Sequence, residues 1–86
     1  MFVIVTYDIA AKRVARAMKV CRKYLHHKQK SVFEGTLTNG QLQKLKVELE
    51  KIVEVNEDRI CIYKLESLRF ASKEELGLRD IEDNVF

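Results

Sequence analysis

The chain opens on an unbroken apolar run. Phe2, Val3, Ile4 and Val5 are followed by Thr6, Tyr7 and the first acid, Asp8. Four consecutive apolar residues, mostly β-favouring, predict a strand over residues 2–7 with both faces covered, and therefore a central one. The period then changes. Val14, Ala17, Met18, Cys21 and Leu25 recur at helical spacing and predict a helix over residues 11–26 with one buried stripe. Lys12, Arg16, Lys19 and Lys23 fall together on the opposite side. Arg13 does not join them; it projects beside Val20 and Tyr24, toward the strand end that carries Asp8.

Alternation returns at residues 29–38, "QKSVFEGTLT", and predicts a second strand. Ser31, Phe33, Gly35 and Leu37 share one face, and Val32, Glu34, Thr36 and Thr38 the other. Thr38 and Gln41 fit a capping box, T-x-x-Q, for a second helix whose stripe is Leu42, Leu45, Leu49, Ile52 and Val53. "NEDR" reads as a turn and "RICIYKLE" as a third strand. A fourth strand falls in "SLRFASKEEL", with "LRFAS" its core, and Gly77 breaks the pattern. This order predicts an α+β, ferredoxin-like two-layer sandwich: a four-stranded antiparallel sheet with two helices on one face, plus a short C-terminal edge strand. The other sheet face is left bare. A second copy of the chain would cover it, with the apolar tail at about residues 78–86 packing on that partner.

The length, 86 residues, predicts one domain spanning residues 1–86. A domain this small buries only about 60% of the surface its unfolded chain exposes, which favours self-association. No apolar run approaches the roughly 20 residues that span a bilayer, and "MFVIV" lacks the flanks of a signal peptide. No membrane association is expected, and the cytoplasm is the expected location.

Charge sharpens the picture. Residues 1–30 hold eight basic residues and one acid, while residues 31–86 hold eight bases and twelve acids. Such a gathered positive patch is the footprint of a polyanion binder; a solvated helix face is the plainer alternative.

The candidate chemistry is sparse. There is no nucleophile elbow, no phosphate-cradling glycine loop and no Cys–His pair at a recognisable spacing. Cys21 and Cys61 lack a C-x-x-C neighbour and are expected to be small buried hydrophobes. His26 and His27 are expected at the end of the first helix, where neighbours do not share a face and a metal pair is poor. Asp8 remains. It could cap a turn, pair with Arg13, or bind a divalent ion. Mg²⁺ prefers hard oxygens and keeps several waters, so two Asp8 carboxylates meeting across a twofold axis would make a credible site beside the basic helices.

"VTYDI" at the end of the first strand, an arginine-bearing helix, and then "QKSVFEG" with its "LT" resemble the CRISPR-associated protein two family, the small subunits of spacer acquisition. The resemblance runs from Phe2 to the "DNVF" tail. It implies that Asp8 is the metal-binding, catalytic aspartate that each protomer brings to a homodimer interface, with Mg²⁺ or Mn²⁺ as the ion. It implies that Tyr7 is the aromatic before it, that Arg13 and Arg16 handle nucleic acid, and that Ser31 and Phe33 belong to the second-strand motif near the same cleft. Read from the residues alone, packing is the alternative role for Tyr7 and the more common one for a residue like Phe33. Family members resemble metal-dependent endonucleases acting on single-stranded RNA or duplex DNA. They also resemble non-catalytic adaptors that bridge the larger integrase subunits on DNA, and a toxin-like ribonuclease on the same fold is a third alternative.

Overall fold

The computed structural model describes residues 1–67 and 70–77. The chain runs β1 (Phe2–Asp8), α1 (Ala11–Tyr24), β2 (His26–Gln29), β3 (Val32–Thr36), α2 (Asn39–Glu50), β4 (Arg59–Ser67) and β5 (Phe70–Gly77). One sheet holds all five strands in the order β2-β3-β1-β4-β5, and every neighbouring pair is antiparallel. The first four strands are the two interleaved split β-α-β units of the ferredoxin-like fold, with β5 added outside β4.

β1 lies at the centre of the sheet, as its apolar run requires. Val3 and Val5 have no exposed surface and meet Phe33, Ile60 and Ile62 from the flanking strands. The helices close this face with Ala17 and Cys21 of α1 and Leu42, Leu45 and Leu49 of α2, joined by Leu25, Leu37 and Ile52. The stripes anticipated for both helices are therefore the buried ones, although Val14, Met18 and Val53 are only half-buried. Cys21 is sealed in this core, and burial pushes its thiol up to about 12. Cys61 is also buried, but it points to the opposite side of the sheet.

The helices start by different means. α2 has its capping box: the Gln41 N–H donates to Thr38 Oγ1 at 3.1 Å and the Thr38 N–H to Gln41 Oε1 at 2.9 Å. α1 begins after Ala10, which has no capping side chain, and no acid lies in its first turn. Its cap comes from across the molecule, from Asp58.

Two expectations need correction. The first helix ends at Tyr24, and Leu25 is extended, with φ −132° and ψ 168°. His26 and His27 are consequently not helical; they form β2, pairing with Glu34 and Phe33. The sheet therefore gains a strand from the middle of the chain, whereas the strand expected beyond the four was an edge strand from the C-terminus. The physical reason is tertiary. Leu25 turns into the core, where Gly35 makes room for it: a Cβ on Gly35 would stand 3.2 Å from Leu25 Cδ2. This lays the next residues along the open edge of β3. The last described strand, Phe70–Gly77, lies further along than "LRFAS". The expected C-terminal edge strand and the tail at residues 78–86 fall outside the described residues.

The face of the sheet away from the helices carries Phe2, Ile4, Thr6 and Asp8 from β1, with Val32 and Glu34 from β3 and Cys61, Tyr63 and Leu65 from β4. No helix among the described residues covers it, and Phe2 is 37% exposed. None of the described helices is long and apolar enough to cross a membrane.

Candidate functional site at the end of the first strand

Asp8 closes β1 on the uncovered face of the sheet, opposite Arg59 of β4 in register. It is exposed, and its carboxylate makes no hydrogen bond or ion pair with the described residues. Asp8 is therefore neither a helix cap nor a partner of Arg13. Alternation explains its direction: Val3, Val5 and Tyr7 turn to the helices, so Asp8 turns outward.

Tyr7 is half-buried on the other face. Its backbone N–H donates to the Ser31 carbonyl at 3.2 Å and its hydroxyl to the Lys30 carbonyl at 3.1 Å. Burial, first of all, raises the phenol above its ordinary range. Tyr7 thus ties the β2–β3 turn to the end of β1 and brings Ser31 beside Asp8. Phe33 stacks on Tyr7, with ring centroids 6.1 Å apart, but has no exposed surface. It belongs to the core and offers no ring face to a base.

Arg13 does not reach Asp8. Its Nε donates to Asp58 Oδ2 at 2.6 Å and its Nη2 to Asp58 Oδ1 at 3.0 Å, and Nη2 also donates to Glu57 Oε1 at 2.6 Å. Its position on α1, away from the outer basic face, points it at the α2–β4 loop. Asp58 was hidden in the "NEDR" turn. It is the one buried charged residue of the described chain, with no exposed surface. It also accepts the Ala10 N–H at 2.9 Å and the Glu54 N–H at 2.8 Å. Arg13 above all, helped by these N–H groups, holds the Asp58 carboxyl well below the usual range, against the opposing effect of burial. Through Ala10, Asp58 fixes the short link that follows Asp8. The available sequence signals were an arginine off the solvated face of its helix and an acid just before the buried run "ICI".

Arg16 is exposed on the outer side of α1 and makes no ion pair with the described residues. With Lys19, Val20, Lys23 and Ile52 it lines a shallow groove of about 340 Å³. Lys23 is engaged there by Glu48 of α2, which also accepts the Tyr24 hydroxyl. Tyr7 and Ser31 are therefore tied together at the strand end, while Asp8 leaves it on the opposite face of the sheet, and Arg16 belongs to a separate basic surface.

Among the described residues, no three acidic, histidine or cysteine side chains come together in a way that could hold a metal ion. Asp58 is already saturated by four donors. Asp8 offers one free hard-oxygen ligand per chain. That suits a Mg²⁺ ion which keeps most of its waters, provided a second carboxylate comes from outside the chain.

The fold and site define a small ferredoxin-like protein with a basic first helix and one open carboxylate at the end of its central strand. Residues 1–73 match the family described as CRISPR associated protein Cas2. The chain is 41% identical over 83 residues to the CRISPR-associated endoribonuclease Cas2 of Thermotoga maritima, covering 96% of this chain and 95% of that protein. It is 38% identical over 87 residues to the protein of the same name from Thermococcus kodakarensis, covering 99% and 100%. A crystal structure of Cas2 matches with a TM-score of 0.75 at 38% identity, covering 95% of this chain and 91% of that one. Streptococcus pyogenes Cas2 matches with a TM-score of 0.70 at 34% identity, covering 76% and 86%. The chain belongs to the Cas2 family of CRISPR-associated proteins.

Proposed function

We propose that this chain is a homodimeric endonuclease, dependent on Mg²⁺ or Mn²⁺, that hydrolyses phosphodiester bonds in single-stranded RNA, duplex DNA or both. It acts in spacer acquisition beside the larger integrase subunit. The observation that carries this reading is Asp8: an exposed carboxylate with no partner among the described residues, on an apolar sheet face that no described helix covers. The relatives named endoribonucleases support it. Pairing two copies through Phe2, Ile4 and their neighbours covers that face and brings two Asp8 carboxylates together as ligands. An ion held there supplies charge stabilisation at the phosphate and a more acidic attacking water. Arg16 and Lys19 hold flanking phosphates. Tyr7 and Ser31 fix the strand end against the β2–β3 turn. Arg13, engaged by Asp58, keeps the link after Asp8 in place and does not hold phosphate itself. With one acid per chain the site is sparse, and turnover is slow.

A second reading has its own support. The basic surface around Arg16 and Lys19 is physically separate from Asp8, so the dimer can grip duplex DNA as a non-catalytic adaptor between integrase subunits.

The test incubates labelled RNA and duplex DNA with the protein, with and without Mg²⁺, beside Asp8→Ala. The nuclease reading expects cleavage that needs both the ion and Asp8. Equal cleavage by Asp8→Ala overturns it. Tight DNA binding without cleavage establishes the adaptor. Sedimentation of the purified chain as a lone monomer removes the shared ion site altogether.

A further inference from the structure

β2, the strand that the sequence pattern concealed, places an imidazole flat against the core. His27 stacks on Phe33 with ring centroids 4.5 Å apart and an interplanar angle of 13°. Tyr7 flanks the same Phe33 ring on the β1 side. Phe33 is fully buried beneath these neighbours, while His27 is exposed. The aromatic row therefore ends in a ring whose far side is open to solvent. His27 Nε2 lies 3.4 Å from the Lys30 carbonyl oxygen, the same atom that accepts the Tyr7 hydroxyl.

The surroundings are cationic. Arg22, Lys28 and Lys30 are all exposed, and none makes an ion pair with the described residues. Lys28 sits at the irregularity in the β2–β3 ladder, between the paired His27 and Gln29. The row ends at Tyr7, one residue before Asp8, whose side chain leaves the same strand end on the opposite face of the sheet.

We propose that His27 is a stacking platform for an unpaired nucleobase, with Arg22, Lys28 and Lys30 on the neighbouring phosphates, so that this end of the sheet takes single-stranded nucleic acid. The proposal rests on the nuclease reading and narrows its substrate class. A flat ring with one face supported and one face free accepts any base, since every base has a π-face. A base inside a duplex is already stacked and paired, and cannot lie on a side chain without leaving its helix. Stacking reads no base edge, and the cations are placed on phosphates, so tolerance of sequence is part of the proposal.

The experiment measures equilibrium binding of a short single strand, the same strand with abasic sugars, and the matched duplex, all without divalent ion so that nothing is cleaved. Wild-type protein should prefer the intact strand to the abasic one by about tenfold, the scale of one stacked base. His27→Ala should remove that preference and leave abasic and duplex binding unchanged. His27→Tyr should restore it. Equal affinity of the wild type for intact and abasic strands overturns the proposal. So does an equal loss on both strands in His27→Ala, which would mark His27 as a simple electrostatic contact. The wild-type comparison and the tyrosine variant keep the test decisive if His27→Ala folds poorly. A base preference with no Asp8-dependent cleavage sinks the nuclease reading alone. Asp8-dependent cleavage with no base preference sinks the platform alone.

Discussion

The Arg13 guanidinium grips the Asp58 carboxylate through two parallel hydrogen bonds, 45 positions apart in sequence. The pair joins the first turn of α1 to the entrance of β4. It also compensates a missing part. α1 has no capping residue of its own, so Asp58 supplies both an acceptor for the Ala10 N–H and a negative charge at the positive end of the helix. All four of its hydrogen bonds disappear together if the carboxylate is removed. Asp58→Ala should destabilise the chain by about 3 kcal/mol, because it leaves the Arg13 guanidinium with only the exposed Glu57 and strands two part-buried backbone donors. A denaturant melt monitored by circular dichroism checks this. A loss within about 0.5 kcal/mol, the ordinary range for a surface change, contradicts it.

The same pair sets the response to acid. The Asp58 carboxyl is depressed in the folded chain. The ionised form is therefore favoured by folding, and its contribution is fully present above the ordinary carboxylate range. It drains away as pH falls through that range toward the folded value. Stability should be nearly level from pH 7 to about pH 5 and then decline steadily below pH 4. Glu48, Glu57 and Glu74 are lowered by their own cationic partners and act in the same direction, but they are more exposed and so weaker contributors. Asp58→Asn should start from a lower stability at neutral pH and show a shallower acid decline. Parallel curves for the two proteins would assign the acid response elsewhere.

Gly77 meets the same carboxylate's backbone. It has φ +102°, and a Cβ there would lie 2.0 Å from the Asp58 carbonyl oxygen. Gly77→Ala therefore combines a backbone conformation that L-residues avoid with a clash against main chain that cannot swing away. The backbone conformation alone costs about 1 kcal/mol or more, and the contact adds to it. The midpoint of thermal unfolding should fall by at least several degrees. Gly40→Ala is the control. A Cβ there meets nothing closer than Thr38 Oγ1 at 4.0 Å, so its midpoint should not fall.

What was legible in the sequence was local. The Thr38–Gln41 box is written within four residues, and both of its hydrogen bonds form. The stripes of α1 and α2 repeat at a period that no other element imitates. Asp8 could be singled out because it is the only acid in a basic stretch, at a strand end. What stayed hidden depends on contacts made far along the chain. "HHKQ" has no alternation to mark a strand, and becomes one because β3 offers it an edge and Leu25 drops into space left by Gly35. Arg13 is visibly ill-suited to solvent, yet five residues from Asp8 and 45 from Asp58 the sequence offers only the nearer acid as a possible partner, beside a role on nucleic acid. Helical phase, which points it across to the α2–β4 loop, outweighs nearness in sequence. Phe33 shows the converse. Its alternation with Glu34 marked one face correctly, but a face says nothing about what will lie on top, and Tyr7 and His27 cover the ring.

The basic surface of α1 yields a prediction that separates its members. Arg16, Lys19 and Lys23 line one groove, and sequence alone treats them as equivalent. They differ in what they already hold. Lys23 is engaged by Glu48, which it lowers while its own ammonium is raised. Arg16 and Lys19 have no such partner among the described residues. A cation that must leave a carboxylate to meet a phosphate gains less, and frees less counterion from the nucleic acid. The logarithm of DNA affinity against the logarithm of salt should therefore lose a slope of about 0.9 for each of Arg16→Ala and Lys19→Ala, one phosphate contact apiece. Lys23→Ala should change the slope by much less. Glu48→Gln, which frees Lys23, should steepen it. Three equal slope losses, with no effect of Glu48→Gln, would mean that the ion pair opens freely when the nucleic acid arrives, and that the groove acts as an undivided patch of charge.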